Sequence, residues 1–200
     1  MNVMSTQKRR YELKARAESQ RRTRERIAAA AVELHEEVGV AQTTVADIAR
    51  RAGVQRLTVY NHFADLSELL PACSAHYRGQ HPQPSFDEAL ALEDPAARVR
   101  AVLRGLYGWY RENEPMMLNV HGERGSVPEL DAWMRQSADR QLAERALALA
   151  RGFRRKGSRA TRLRAVIALA LDFWTWRRLA QEGLDDEAAA AMMTALIACI

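Results

Sequence analysis

Residues 44–63, TVADIARRAGVQRLTVYNHF, decide how the chain is read. Thr44 predicts a helix N-cap, and Asp47 three residues later can reach back to it as a variant of the capping box. Ile48, Ala49 and Ala52 supply the apolar side of a short helix. Gly53 ends it, because the sharp turn there calls for positive φ. Val54 fills the corner, and a second helix follows over about residues 55–61 with Val59 as its buried anchor. Ala49, Gly53 and Val59 stand at intervals of four and six. That spacing suits two helices crossing steeply, with a small residue at the crossing and a branched one on the second helix. The pattern predicts a helix-turn-helix whose second helix enters the major groove of DNA.

With Val59 inward and about 100° per residue, Leu57 and Asn61 fall on the opposite face, and Thr58 and Tyr60 on the flanks. Arg56, in the first turn, is long enough to swing outward. A face that mixes a cation, an amide, two hydroxyls and an exposed leucine suits a groove reader. A helical hairpin without a DNA partner is the plainer alternative, since short patterns of this kind also arise by accident.

Residues 21–70 resemble the DNA-binding domain of TetR-type transcriptional repressors. The resemblance rests on the helix ending in Val38-Gly39, the Thr43-Thr44 start, IARRAGV, and Thr58-Val59-Tyr60-Asn61-His62-Phe63 before Leu69-Leu70. It implies a homodimer, joined through its last two helices, on a two-fold-symmetric operator. It also implies phosphate contacts from Thr58 and Tyr60, and together with the helix-face reading the expected DNA-contacting residues are Thr44, Gln55, Arg56, Leu57, Thr58, Tyr60, Asn61 and His62. Two positions depart from the family pattern: Gln55 replaces the usual small N-cap of the reading helix, and Leu66 stands where a lysine is usual.

Charge supports the same division. The whole chain of 200 residues carries +5. Residues 1–63 hold 12 Lys and Arg against 7 Asp and Glu, whereas residues 64–200 hold 18 of each. All the excess positive charge therefore lies with the helix-turn-helix, where it attracts phosphate without reading sequence. Residues 1–17 have no clear apolar period and are expected to form a flexible arm bearing Lys8, Arg9, Arg10, Lys14 and Arg16. A helix to Val38 follows, with the apolar stripe Ile27, Ala31, Leu34 and Val38. Its arginines Arg21, Arg22, Arg24 and Arg26 are expected to reach phosphate.

The rest reads as helices. Asp65 with Glu68 caps a helix through Leu69, Leu70, Cys73 and Tyr77, with Pro71 in its second turn. Asp94-Pro95 starts a helix carrying Val99, Val102, Leu103, Leu106, Trp109 and Tyr110. Single helices are expected over 128–150, 159–181 and 186–200. The expected fold is all-α with about nine helices: a reading domain over 1–64 and a larger ligand-binding and dimerisation domain over 65–200. The nearly all-apolar run Val166–Trp176 and the stripe Met192, Met193, Leu196, Ile197 and Ile200 suggest half of a four-helix dimer interface.

An effector pocket is usually apolar and aromatic with a few orienting polar groups. Tyr77, Trp109, Tyr110, Met117, His121, Trp133, Phe173 and Trp176 are the candidates, with His121 and Asp172 as the polar groups. No cofactor or metal is expected: Cys73, His76 and His81 lack a fourth ligand and suitable spacing. No motif for acyl transfer, phosphate cradling or zinc hydrolysis occurs, so no enzyme is expected. Two cysteines far apart fit a reducing cytoplasm. No apolar stretch follows the basic N-terminus, and none elsewhere is long enough for a membrane. The expected function is a DNA-binding regulator, a repressor released by a small apolar effector. A helical ligand carrier or interaction protein whose helix-turn-helix does not bind DNA is the other class.

Overall fold

The structure is a computed structural model that describes residues 3–200, with side chains from residue 12 onward. The chain divides into two compact units, Met1–Gln80 and His81–Ile200. Every regular element among the described residues is helical.

The first unit is built on α1 (Val3–Val38). The expected flexible arm is helix from residue 3 onward. Residues 3–38 hold neither glycine nor proline and are rich in Ala, Arg, Glu, Lys and Gln, which favour helix without any buried face. Pairs four residues apart, Arg22–Glu18 at 2.6 Å and Arg21–Glu25 at 2.7 Å, reinforce it. The side chains of Lys8, Arg9 and Arg10 lie outside the described residues. Farther along, Ile27, Ala28, Ala30, Ala31, Val32, Leu34 and His35 are buried. Val38, expected in that stripe, is half exposed, because the helix ends there and the chain turns away at Gly39 (φ 88).

On this face pack α2 (Val45–Ala52) and α4 (Leu66–Gln80), while α3 (Arg56–His62) crosses α2. Thr44 caps α2: its Oγ1 accepts from the Asp47 amide at 3.1 Å and donates to the Asp47 carboxylate at 2.5 Å. Gly53 adopts φ 64 and closes α2 through Val54 N–H donating to the Ala49 carbonyl. A Cβ at Gly53 would meet nothing within 4 Å, so backbone conformation alone favours glycine here. At α4, Asp65 accepts from the Glu68 amide, and Glu68 accepts in return from Ala64 N–H. Leu69, Leu70, Cys73 and Tyr77 are buried, and the Cys73 thiol donates to the Ala28 carbonyl of α1.

In the second unit the elements are α5 (Asp87–Ala91), α6 (Pro95–Glu112), α7 (Glu114–Gly122), α8 (Pro128–Met134), α9 (Arg140–Arg151), α10 (Gly157–Leu171), α11 (Phe173–Gln181) and α12 (Asp186–Ala198). A single π-helical turn, Arg135–Asp139, joins α8 to α9. There the Ser137 hydroxyl takes the Trp133 carbonyl at 2.7 Å, competing with the backbone for it. α12 lies along α6, whose Val99, Val102, Leu103, Leu106, Tyr107, Trp109 and Tyr110 are buried.

The helix expected over 159–181 is divided at Asp172. Tyr107 donates to the Ala170 carbonyl at 2.7 Å and Tyr110 to the Leu171 carbonyl at 2.9 Å, so side chains of α6 satisfy the last turn of α10. Asp172 then caps α11 through the amides of Trp174 and Thr175. Nor is this run buried all round: Leu169 and Trp174 are exposed.

His35 gives the first unit an acid sensitivity. It is 3% exposed, and burial pushes its imidazole down to about 4. The unfolded chain, with an ordinary histidine near 6.5, takes up a proton that the folded unit refuses. Stability is therefore full above about pH 6.5 and falls toward pH 4, by up to about 3 kcal/mol. Urea unfolding near neutrality and at about pH 5 should show this loss, and a His35→Gln variant should show a smaller difference.

Candidate nucleic-acid interface and effector cluster

Val59 is 2% exposed and anchors α3. On its outward side, Arg56 and Asn61 are exposed, Leu57 is 66% exposed and Tyr60 54%. Thr58 and His62 are half-buried at the flanks. Among the described residues, no hydrogen bond or ion pair engages the side chains of Arg56, Tyr60 or Asn61. An exposed leucine beside free polar groups leaves the whole face available to a partner. Gln55 is the N-cap of α3 by position, and its side chain makes no capping bond. The amides of Arg56 and Leu57 receive no cap from it, while the Thr58 amide donates to the Gln55 carbonyl.

The bracing of this helix was not legible in the sequence. Arg24 of α1 donates to the His62 carbonyl at the end of α3, and its guanidinium lies 3.9 Å from the Phe63 ring centroid. It is therefore a brace for α3, not a free phosphate ligand. Arg21 and Arg22 are likewise committed to Glu25 and Glu18. Arg51 grips Glu37 bidentately at 2.7 and 2.8 Å and reaches Glu33 at 3.2 Å, tying α2 to α1. Hydrogen bonds from Arg51 hold the Glu37 carboxyl below its usual range. Thr44 is exposed, and its hydroxyl is committed to the α2 cap.

In the second unit an aromatic cluster joins three helices. The Tyr110 and Phe173 rings meet edge to face at 5.4 Å, and Trp176 lies 5.8 Å from Tyr110. His121 stacks on Phe173 at 5.0 Å, and Trp109 touches Tyr110 at 5.8 Å. Burial lowers the His121 pKa, with Asp172 acting in the opposite sense. Trp109, Tyr110, Phe173 and Trp176 are buried, and their polar atoms have partners within the unit. Trp109 Nε1 donates to the His81 carbonyl at 3.1 Å and Trp176 Nε1 to Asp186 at 3.0 Å. Arg111 clamps that carboxylate from α6 with two bonds of 2.9 Å.

Met117 lies one turn before His121 on α7, and both are half-buried, as is Trp133. No ring contact joins Trp133 to the cluster among the described residues. Tyr77 belongs to the first unit, where α4 buries it. Asp172, expected to orient a ligand, spends its carboxylate on the α11 cap. Tyr107 and Arg145 escaped the sequence reading because their partners, Ala170 and Gln83, lie some sixty residues away.

The chain thus combines a braced helix-turn-helix in its first unit with an all-helical second unit. Residues 27–73 match the family of bacterial regulatory proteins, tetR family. The HTH-type transcriptional regulators BetI of Yersinia pestis and Yersinia pseudotuberculosis are 36% identical over 72 residues. That stretch is 34% of this chain and 36% of theirs, so the match spans about a third of the length of those relatives. Among solved structures, a transcriptional regulator from Rhodococcus superposes with a TM-score of 0.53 at 26% identity, over 87% of this chain and 95% of its own. NalD of Pseudomonas aeruginosa, the secondary repressor of the MexAB-OprM multidrug efflux pump, shares the fold. Its TM-score is 0.56 at 21% identity, over 90% of this chain and 95% of its own. The likeness to the tetR family therefore lies in the helix-turn-helix region, residues 27–73. No described helix is long and apolar enough to cross a membrane.

The brace generates a test. Arg24→Ala frees the end of α3 without touching its outward face. Affinity for every DNA sequence should fall together, while the sequence motif selected from a random pool stays the same. Fluorescence anisotropy on one strong and one weak site measures the first, and sequencing of the bound pool the second.

Proposed function

We propose that this chain is a dimeric repressor that binds a two-fold-symmetric operator and is released by a small, largely apolar effector. The observation that carries the DNA half is the outward face of α3. Arg56, Leu57, Tyr60 and Asn61 are exposed on a helix fixed by Val59, Arg24 and Phe63. In this reading each α3 enters a major groove, with half-sites about one helical turn apart or somewhat more. Arg56 and Asn61 read base edges, and Leu57 meets a thymine methyl. Thr58 and Tyr60 hold phosphates, and the cations Lys14 and Arg16, exposed on α1, add affinity without specificity.

Exposed apolar side chains near the C-terminus support the dimer. Leu169 is 56% exposed, Leu196 53%, Trp174 42% and Met192 39%, on the helices that the resemblance assigns to dimerisation. A second copy would remove them from water. Support for the effector comes from the aromatic cluster of α6, α7 and α11, which includes the half-buried His121. Met117 and Trp133, also half-buried, are the candidate contacts outside its rings. Trp133 is the better probe of ligand contact, since Trp109 is a core residue with its indole N–H already engaged.

Selection of bound sequences from a random DNA pool tests the DNA half. The expected product is a palindrome. Tyr60→Phe should weaken all sequences alike, whereas Arg56→Ala should relax preference at one position in each half-site. A motif unchanged by Arg56→Ala would remove that residue from base reading. For the dimer, Leu196→Arg should shift sedimentation equilibrium toward monomer. Unchanged sedimentation would place the interface elsewhere.

A further inference from the structure

Arg145 is a cation in an apolar place. It sits on α9, half-buried, with its guanidinium 4.5 Å from the Phe86 ring centroid. Its Nη2 donates to the Gln83 side chain at 3.0 Å. Two other half-buried arginines of this unit hold carboxylates, Arg124 on Asp131 and Asp139 and Arg177 on Glu114, while Arg98 donates to the Leu92 carbonyl. Arg145 has no carboxylate within ion-pair distance among the described residues. Desolvation lowers its pKa, and the only group acting in the other direction is Tyr110, a member of the aromatic cluster.

A desolvated charge without a counterion is costly, and a ring face with one amide oxygen offsets only part of that cost. A guanidinium also presents five N–H donors in a plane, of which Gln83 uses one. The remaining donors match the two oxygens of a carboxylate, which would supply both the missing charge and the missing acceptors. Resting on the effector reading above, we propose that Arg145 is an anion-recognition residue and that the effector is an amphipathic acid. Its carboxylate sits on Arg145, and its apolar body lies toward the Tyr110, Phe173 and His121 rings. Gln83 and Phe86 fix the guanidinium and so position it for that group.

The test is calorimetric titration of the full chain with two matched pairs of probes: octanoate and octanol, phenylbutyrate and phenylbutanol. The wild type should bind at least one acid about tenfold or more tightly than its alcohol. Arg145→Gln should erase that preference while leaving alcohol affinity unchanged, and Arg145→Lys should retain part of it. Equal affinity for acid and alcohol in the wild type, or a preference that survives Arg145→Gln, overturns the inference and leaves the effector reading standing. Binding of none of the four probes overturns both. A thermal melt of each variant separates packing from recognition. A lower melting point with an unchanged acid preference would assign Arg145 to holding Phe86 and nothing more.

Discussion

The buried face of α1 is the constraint on which the first unit rests. Ile27 and Ala31 are fully buried, and the alanines among their neighbours let α2 and α4 approach closely. Neither partner is long enough to be stable alone, since short helices are marginal in water and depend on packing. Burying them against α1 also fixes the turn at Gly53, and with it the direction of α3. Arginines finish the work from outside the core. Arg51 ties α2 to α1, and Arg24 ties α1 to the last carbonyl of α3. The face that would meet DNA is thus held entirely from behind, and none of its outward side chains contributes to holding it.

The second unit uses buried polar atoms in the same economical way. Tyr107 and Tyr110 end α10 by occupying its last carbonyls, and Asp172 starts α11 one residue later. The break lets Phe173 and Trp176 turn inward onto Tyr110. Asp186 takes one indole and one guanidinium, linking α6, α11 and α12. The cluster and the helix break are therefore one feature.

Local chemistry was legible in the sequence. Thr44, Asp65 and Asp94 cap the helices they precede, because a cap needs only neighbours two or three residues away. Gly53 and Val59 were legible for the same reason. What escaped were features set by distant partners or by no partner at all. Residues 3–17 carry no clear apolar period, so periodicity could not find their helix. The break at Asp172 depends on tyrosines some sixty positions earlier. Arg24 reads in the sequence as a phosphate-reaching cation, and only the fold brings Phe63 beside it and Glu37 beside Arg51. Aromatic candidates were found by type. Only the fold separates Trp109, a core residue, from Trp133, which has no ring contact with the cluster among the described residues.

The unbroken α1 changes what an insertion near the N-terminus would do. Its 36 residues form a rod of roughly 54 Å. On a floppy tether the order of Lys14 and Arg16 would hardly matter, because each could explore every direction. On a rod, each cation has an azimuth fixed relative to Ile27 and the core. One added residue between Arg16 and Ile27 turns every preceding charge by about 100° and carries it to another side. Seven added residues, two full turns, nearly restore the bearing while moving the charges about 10 Å outward. The electrostatics of this segment therefore have a phase as well as a magnitude.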